Sequence, residues 1–335
     1  MPVSILAIES SCDETSASVC TDGNVLSNIV VTQSIHKEYG GVVPELASRA
    51  HMQNIVPAVS KSLKEANLKL SDLKAVAYTA GPGLLGALLV GSSFAKSLSF
   101  ALNVPTVEVN HMQAHVLAHF IKDPKPKFPF LCLTVSGGHT QIVLVRSFLE
   151  MEVIGQTIDD AVGEAFDKGA KLMGLPYPGG PLVDQHAKKG DPHKFKFAES
   201  EVSDLNFSFS GIKTGLLYFL RKEMQKDPDF LEKNLKDLCA GYQQTLINML
   251  LRKLTKASKE LGISNIGIAG GVSANSALRS ALISEGMKRG WEVFVPDFEY
   301  CTDNAGMIAI AGYYRFLSGE FGNLRSSPQP RMTFR

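Results

Sequence analysis

Residues 3–31, VSILAIESSCDETSASVCTDGNVLSNIVV, are the stretch on which the fold turns. Val3–Glu9 is an apolar, β-branched run of strand type that stops at the small polar segment Ser10-Ser11-Cys12-Asp13. Ser16–Cys20 reads as a second strand. Asp22-Gly23 is a hairpin signal, and a third strand follows through Asn28–Val31. The pattern returns at Phe130. Phe130–Val135 is a strand, Ser136-Gly137-Gly138-His139 a tight polar turn, and Gln141–Val145 the returning strand. Two copies of strand, small-residue turn and strand at this spacing predict two related lobes.

Between and after the copies, helices and strands alternate. Pro44–Asn67 reads as a long helix with Leu46, Ala50, Val56, Val59 and Leu63 along one face. Ala75–Ala80 is a strand running into Gly81-Pro82-Gly83, Gly86–Leu102 a helix, Thr106–Val109 a strand and His111–Ile121 a helix. Asp123–Pro129 carries three prolines and reads as a linker. Helices are expected over Asp160–Met173, Ile212–Glu223, Leu235–Leu261 and Asn304–Leu317, and a strand over Asn265–Ala269 ends in Gly270-Gly271. Such alternation predicts α/β lobes with mixed sheets.

Composition narrows the function. The chain has 335 residues, enough for two lobes, and 44% of them are hydrophobic. Its 34 basic residues balance 33 acidic ones, so no general field draws it to nucleic acid or membrane. Any RNA contact must come from a local patch or from partner subunits. The first apolar run meets Glu9 and Asp13 too soon for a signal peptide, and Leu84–Leu102, with Lys96 inside it, suits a buried helix better than a membrane span. Five scattered cysteines without CxxC spacing indicate neither a disulfide framework nor a zinc ribbon. The expected compartment is the cytoplasm, with no membrane partner.

Three sets of residues carry chemistry. Turns built of small residues let backbone N–H groups approach phosphate oxygens, which fits Ser136-Gly137-Gly138 and, with more acidic character, Ser10–Glu14. Gly270-Gly271-Val272-Ser273-Ala274-Asn275 joins a strand to a helix, where it suits a nucleoside or simply caps the helix through Ser273 or Asn275. His111 and His115 stand four apart behind a candidate N-cap, Asn110, a spacing that aims two imidazoles at one metal. HMQAH has Met112 where a metalloprotease keeps its glutamate base, which disfavours protease chemistry. His119 lies a further turn on and reads as structural. A third ligand with an oxygen donor is needed; Asp303 is a candidate, unless it caps the last helix. Asp167 and Asp184 flank the glycine segment Tyr177–Pro181 and suit ribose hydroxyls, although a lone aspartate is by default a solvated helix residue.

Taken together these segments resemble the TsaD family of threonylcarbamoyltransferases. The resemblance rests on IESSCDET (8–15), GGVVPELASRAH (40–51), AGPGLLGALLVG (80–91), NHMQAH (110–115), TVSGGHTQ (134–141), GEAFDKGAKLMGLPYPGGP (163–181), FSFSGIKT (207–214), AGGVSAN (269–275) and CTDNAGMIA (301–309). It implies an actin/Hsp70/acetate-kinase-like fold: two related lobes with ribonuclease-H-like mixed sheets and an active-site cleft between them. Residues 1–109 with 318–335 would form the first lobe, and 110–317 the second, with the nucleotide and metal site. His111, His115 and Asp303 match the family's metal ligands, for iron(II) or, alternatively, zinc. Thr134, Val135, Ser136, Gly137 and Gly138 match the segment that contacts the acyl-adenylate, and Asp167, Gly180, Asp184 and Asn275 its other nucleotide-site residues. Asp13 and Glu14 match acidic positions that are candidates for catalysis.

The implied reaction moves a threonylcarbamoyl group from L-threonylcarbamoyl-AMP to N6 of adenosine 37 in tRNAs reading ANN codons, with entry of the anticodon loop. A paralogous TsaB-like subunit and a TsaE-like ATPase are the expected partners. Lys125, Lys127, Arg325, Arg331 and Arg335 are the local basic candidates for RNA. Two other readings share the fold: an ATP-dependent small-molecule kinase and a nucleotide-gated scaffold without turnover.

Overall fold

A computed structural model describes residues 2–334 apart from Glu201, with the backbone alone at Lys37. Arg335 lies outside the described residues. In the first half of the chain the strands are β1 (Ser4–Glu9), β2 (Glu14–Thr21), β3 (Asn24–Thr32), β4 (Leu73–Gly81) and β5 (Thr106–Asn110), with helices α1 (His36–Tyr39), α2 (Pro44–Glu65), α3 (Leu85–Leu102) and α4 (His111–Leu117). The second half holds β6 (Phe130–Val135), β7 (Thr140–Val145), β8 (Met151–Gln156), β9 (Asn265–Ala269) and β10 (Glu292–Phe294). Its helices are α5 (Val162–Leu172), α6 (Gly179–Ala187), α7 (Ser210–Lys226), α8 (Phe230–Leu261), α9 (Ser276–Arg289) and α10 (Ala305–Leu317).

The expected duplication is visible in the sheets. One has the order β3-β2-β1-β4-β5 and the other, read the same way, β8-β7-β6-β9-β10. In each, the first strand pairs antiparallel with the next in sequence (Ile8 opposite Ala17; Leu131 opposite Leu144). Each also pairs parallel with the strand on its other side (Leu6 opposite Val76; Leu133 opposite Ile268). Every residue of β1 and of β6 is buried, the pattern of a strand covered on both faces.

The chain forms two compact units: Met1–Pro126 with Arg146–Glu152 and Pro296–Arg335, and Lys127–Val145 with Val153–Val295. This division differs from the expected 1–109 and 110–317. The physical reason is packing: α4 continues directly from β5, and α10 lies against β1, β2 and β3. His111, His115 and Asp303 therefore all belong to the first unit.

Pleating sorts the side chains of that unit. Leu6, Ile8, Val76 and Tyr78 join Ile55 and Val59 of α2 and Ala95 of α3 in one core. Ala77 points the other way, against Gly312 of α10. The buried face of α2 is Ala47, His51, Ile55, Ala58, Val59 and Ser62, whereas Val56, expected inside, is 59% exposed. Polar His51 and Ser62 are buried because each has a partner in the hairpin: Thr15 for His51 and Ser27 for Ser62. By length and composition alone α3 is apolar enough to cross a bilayer. It instead packs against β4 and α2, burying Ala87, Leu88, Gly91, Ser92, Ala95 and Ser99.

Gly312 is the contact that lets α10 approach the sheet. A Cβ there would lie 2.7 Å from the Cβ of Ala77. Gly312→Val is expected to lower stability by about 1–3 kcal/mol through overpacking. Urea unfolding measures this, and an unchanged midpoint would show that α10 does not sit this close.

Candidate functional site

In the first unit the site grows from the end of β1. Glu9 is fully buried, and its carboxylate accepts three hydrogen bonds: from the Ser11 amide (2.5 Å), the Thr79 hydroxyl (2.6 Å) and His111 Nδ1 (3.0 Å). A carboxylate can only accept here, so the proton of His111 sits on Nδ1 and its Nε2 faces away from Glu9. The Ser11 hydroxyl adds a contact to Nδ1 at 3.2 Å.

His111 is the first residue of α4, and Asn110 is its N-cap as expected, accepting from the Met112 and Gln113 amides. One helical turn on, His115 Nε2 lies 3.1 Å from Asp303 Oδ1, and His111 Nε2 lies 3.4 Å from the same oxygen. The two rings meet edge to face with centroids 4.7 Å apart. The donor atoms of His111, His115 and Asp303 all fall within 4.8 Å of one another. Asp303 is free for this because Asn304, not Asp303, caps α10 by accepting from the Met307 amide. His119 falls in a 3₁₀ turn beyond α4 and outside this group.

Electrostatics follow from the burial. Desolvation works against charge on Asp303, but His111 and then His115 outweigh it and hold the carboxyl well below the usual range. Burial likewise opposes a charged His111, and Asp303 and Glu9 outweigh it, raising the imidazole well above its ordinary value. The charge on His111 is thus held by the two carboxylates that face it. Two imidazoles and a carboxylate with converging donors suit a divalent first-row ion, and a carboxylate behind one imidazole is the usual support of such a ligand. His115 Nδ1 is buried without a partner, so only His111 has its ring fixed from behind.

Asp13 ends the turn that follows β1, and Glu14 opens β2. Burial, reinforced by Asp303 and Asp13, pushes Glu14 up to about 9, so it keeps its proton at neutral pH. Burial and the charges of Asp13 and Asp303 raise the Cys12 thiol far beyond its normal range, which removes it as a nucleophile.

The second unit gathers the other expected residues. Thr134 and Val135 end β6. Ser136 pins the turn by accepting from the His139 amide (3.0 Å), while Gly137 and Gly138 have open space where a side chain would stand. Gly163 of α5 packs onto the backbone of Ser136 and Gly137, where a Cβ would lie within 3 Å. The glycine segment near Asp167 is the start of a helix rather than a loop. Asp167 Oδ1 accepts from the Gly179 and Gly180 amides (2.8 and 3.0 Å) and so caps α6 from outside. Burial raises the Asp167 carboxyl despite those two bonds.

Asp184, one turn beyond Gly180, accepts from the Ser276 hydroxyl (2.9 Å) at the start of α9. Asn275 caps that helix through the Leu278 amide and donates to Gln243 (2.6 Å). Asp184, Lys188, Gln243, Ser276 and Ser280 line a pocket of about 280 Å³. Asp167 and Asn275 thus have structural hydrogen bonds of their own. Of the basic candidates, Lys125, Lys127, Arg325 and Arg331 are all exposed. Glu9 is the residue that sequence reasoning passed over; the one available signal was a charge closing the apolar run Ile5–Ile8.

Comparison with known proteins decides the family. The sequence pattern of TsaD, described as tRNA N6-adenosine threonylcarbamoyltransferase, matches residues 24–310. The chain belongs to the TsaD family. It is 60% identical over 332 residues to the tRNA N6-adenosine threonylcarbamoyltransferase of Cytophaga hutchinsonii, covering 99% of this chain and 97% of that one. The protein of the same name from Christiangramia forsetii is 60% identical over 335 residues (99% and 98%), and that from Salinibacter ruber 49% over 317 residues (94% and 95%). Family membership makes the chain a transferase.

Among solved structures, full-length HypF in a phosphate- and nucleotide-bound form superposes with a TM-score of 0.62 at 14% identity, covering 97% of this chain and 56% of that one. HypF from T. kodakarensis gives 0.63, also at 14% identity, covering 96% and 49%. The chain thus spans about half the length of these structures, and the likeness concerns the fold. That fold is the expected α/β, actin/Hsp70/acetate-kinase-like one with two mixed sheets.

The Glu14 shift has a sign that can be tested. Its folded-state value lies above the ordinary 4.5, so ionising it costs stability in the folded chain only. The cost is absent below about pH 4.5 and complete above about pH 9. In chelator-treated protein, Glu14→Gln should therefore gain melting temperature over the parent as pH rises from 5 to 9. A difference that stays constant across that range would remove the protonated Glu14.

Proposed function

We propose that this chain transfers the threonylcarbamoyl group of L-threonylcarbamoyl-AMP to N6 of adenosine 37 in tRNAs reading ANN codons, and releases AMP. The geometric observation that carries the reading is the convergence of both Nε2 atoms on Asp303, with Glu9 behind His111. Neither a kinase nor a passive scaffold requires such a cluster beside the Ser10–Glu14 turn.

His111, His115 and Asp303 would hold one divalent ion, iron(II) in the first instance with zinc as the alternative. Bound there, the ion supplies Lewis acidity for a carbonyl or phosphate oxygen. The chain's own groups do the rest. Glu9 keeps the proton of His111 on Nδ1, so that Nε2 presents its lone pair. The open backbone at Gly137 and Gly138 offers N–H groups to negative oxygen without steric cost. Asp184 and Ser276 provide acceptors and a hydroxyl at a pocket of about 280 Å³, with Gly180 at the start of the helix of Asp184 and Asp167 of α5 bonded to it. The bond made is from N6 to the carbamoyl carbon. The bond broken joins that carbon to the phosphate oxygen, which leaves with the electron pair as AMP while N6 gives up a proton. Asp13 and Glu14, between the end of β1 and the start of β2, are the acidic side chains to receive it.

The balanced charge of the chain fits RNA binding shared with other subunits, and a TsaB-like paralogue and a TsaE-like ATPase are the partners this reading requires. Work on tRNA fits a cytoplasmic protein.

Nucleoside analysis of tRNA incubated with adenylate, partners and this chain tests the reaction. Formation of threonylcarbamoyladenosine is expected, together with a loss of roughly 100-fold or more for Asp303→Asn. If AMP is released and no modified adenosine forms, the transferase reading is lost. Glu9→Gln should weaken divalent-metal affinity by about 10–100-fold, since a glutamine cannot accept at all three positions. Calorimetric titration with Zn²⁺ measures it, and parental affinity would deny Glu9 that role.

A further inference from the structure

Residues 320–334 contain neither helix nor strand, yet they are bonded along the first unit throughout. The Gly322 amide donates to the Thr106 carbonyl (2.8 Å), and the Asn323 amide to Glu108 (3.3 Å). Lys96 donates to the Ser326 carbonyl (2.5 Å), and the Ser326 hydroxyl contacts Glu108. Further on, the Gln329 amide donates to the Ala80 carbonyl (2.7 Å), and the Pro330 carbonyl accepts from Gly83 (3.2 Å). Met332 packs against the core of β1, β4, α2 and α3. The segment then ends at the helix that carries the two histidines: Asn110 Nδ2 donates to the Thr333 carbonyl at 3.0 Å.

That last bond fixes an orientation. A carboxamide has one accepting end and one donating end. The oxygen of Asn110 accepts from the Met112 and Gln113 amides at 2.9 and 3.2 Å, and its nitrogen is held by Thr333. Rotated by half a turn, the side chain would set its oxygen against a carbonyl and its nitrogen against two N–H groups. The helix concerned has only seven residues, so little besides its cap and its packing keeps its first turn wound. His111 is the first residue of that turn.

We propose that the C-terminal segment is a positioning element of the metal site: the Thr333 carbonyl locks the Asn110 amide in the sense that caps α4, and thereby sets the place of His111. The inference rests on the reading of His111, His115 and Asp303 as a metal site. It adds a contribution from a part of the chain that none of the expected site residues occupies.

The test uses the full chain, a truncation after Pro330 that keeps the Gln329 and Pro330 bonds, and Asn110→Asp and Asn110→Ser in both backgrounds. Co²⁺ affinity is read from visible absorption, with melting temperature followed in parallel. The truncation should weaken Co²⁺ binding by about 3–30-fold, the range of a lost N-cap. Asn110→Asp should weaken it comparably in the full chain, where two oxygens would face each other. In the truncated chain the same substitution should bring affinity back to within about threefold of the parent, because a carboxylate caps without help. Asn110→Ser, whose hydroxyl caps alone, should be insensitive to the truncation.

Additive losses, or a truncation that leaves Co²⁺ affinity unchanged, would overturn the proposal. If the truncated chain does not fold, the comparison within the full chain decides: Asn110→Ser should retain affinity where Asn110→Asp loses it, and equal losses would sink the idea. Absence of Co²⁺ binding by the unaltered protein would instead remove the metal reading on which the inference stands.

Discussion

A single buried carboxylate organises the first unit. Glu9 sits at the end of a strand covered on both faces, where an unpaired charge would cost several kcal/mol. Its hydrogen bonds come from three separate elements: the turn after β1, the strand β4 and the helix α4. The same requirement that makes the charge tolerable therefore ties the turn, the sheet and the imidazole together. The position of His115 follows through one turn of helix, while Asn304 caps α10 and leaves the carboxylate of Asp303 to face both imidazoles.

The duplicated architecture puts two chemically different turns on one strand plan. Both sheets place a tight turn between their first two strands. In the first unit that turn carries Ser11, Cys12 and Asp13, with Glu14 opening β2, and is backed by a helix bearing histidines. In the second it carries Gly137 and Gly138 and is backed by the N-terminal turn of α5, with Gly163 pressed against its backbone. Side chains dominate the one and bare backbone the other. Bare backbone N–H groups favour anionic oxygens, whereas the first turn presents carboxylates.

Much of the fold was legible because its signals are local. The hairpins, the strand–helix alternation and the spacing of His111 and His115 are all patterns of a few residues. What escaped depends on contacts distant in sequence. The buried face of α2 was misjudged because His51 and Ser62 lie inside, which only their partners in the β1–β2–β3 meander explain. Tyr177–Pro181 looked like a glycine loop, and its helical start is set by Asp167, a residue on another helix. The boundary between units was misplaced because α10 returns to the first sheet after the whole of the second has been made. Glu9 had no partner visible in the sequence, since Thr79 and His111 reach it through pairing of strands.

The discontinuity of the first unit has a temporal consequence. His115 and Asp303 are separated by 188 positions, and the second unit lies between them as an insertion. During synthesis the second unit can complete its core while the first still lacks α10 and the oxygen donor. Through that interval the histidines lack the carboxylate that faces them in the finished unit. The cluster of His111, His115 and Asp303 is thus completed only after the whole of the second unit has been made.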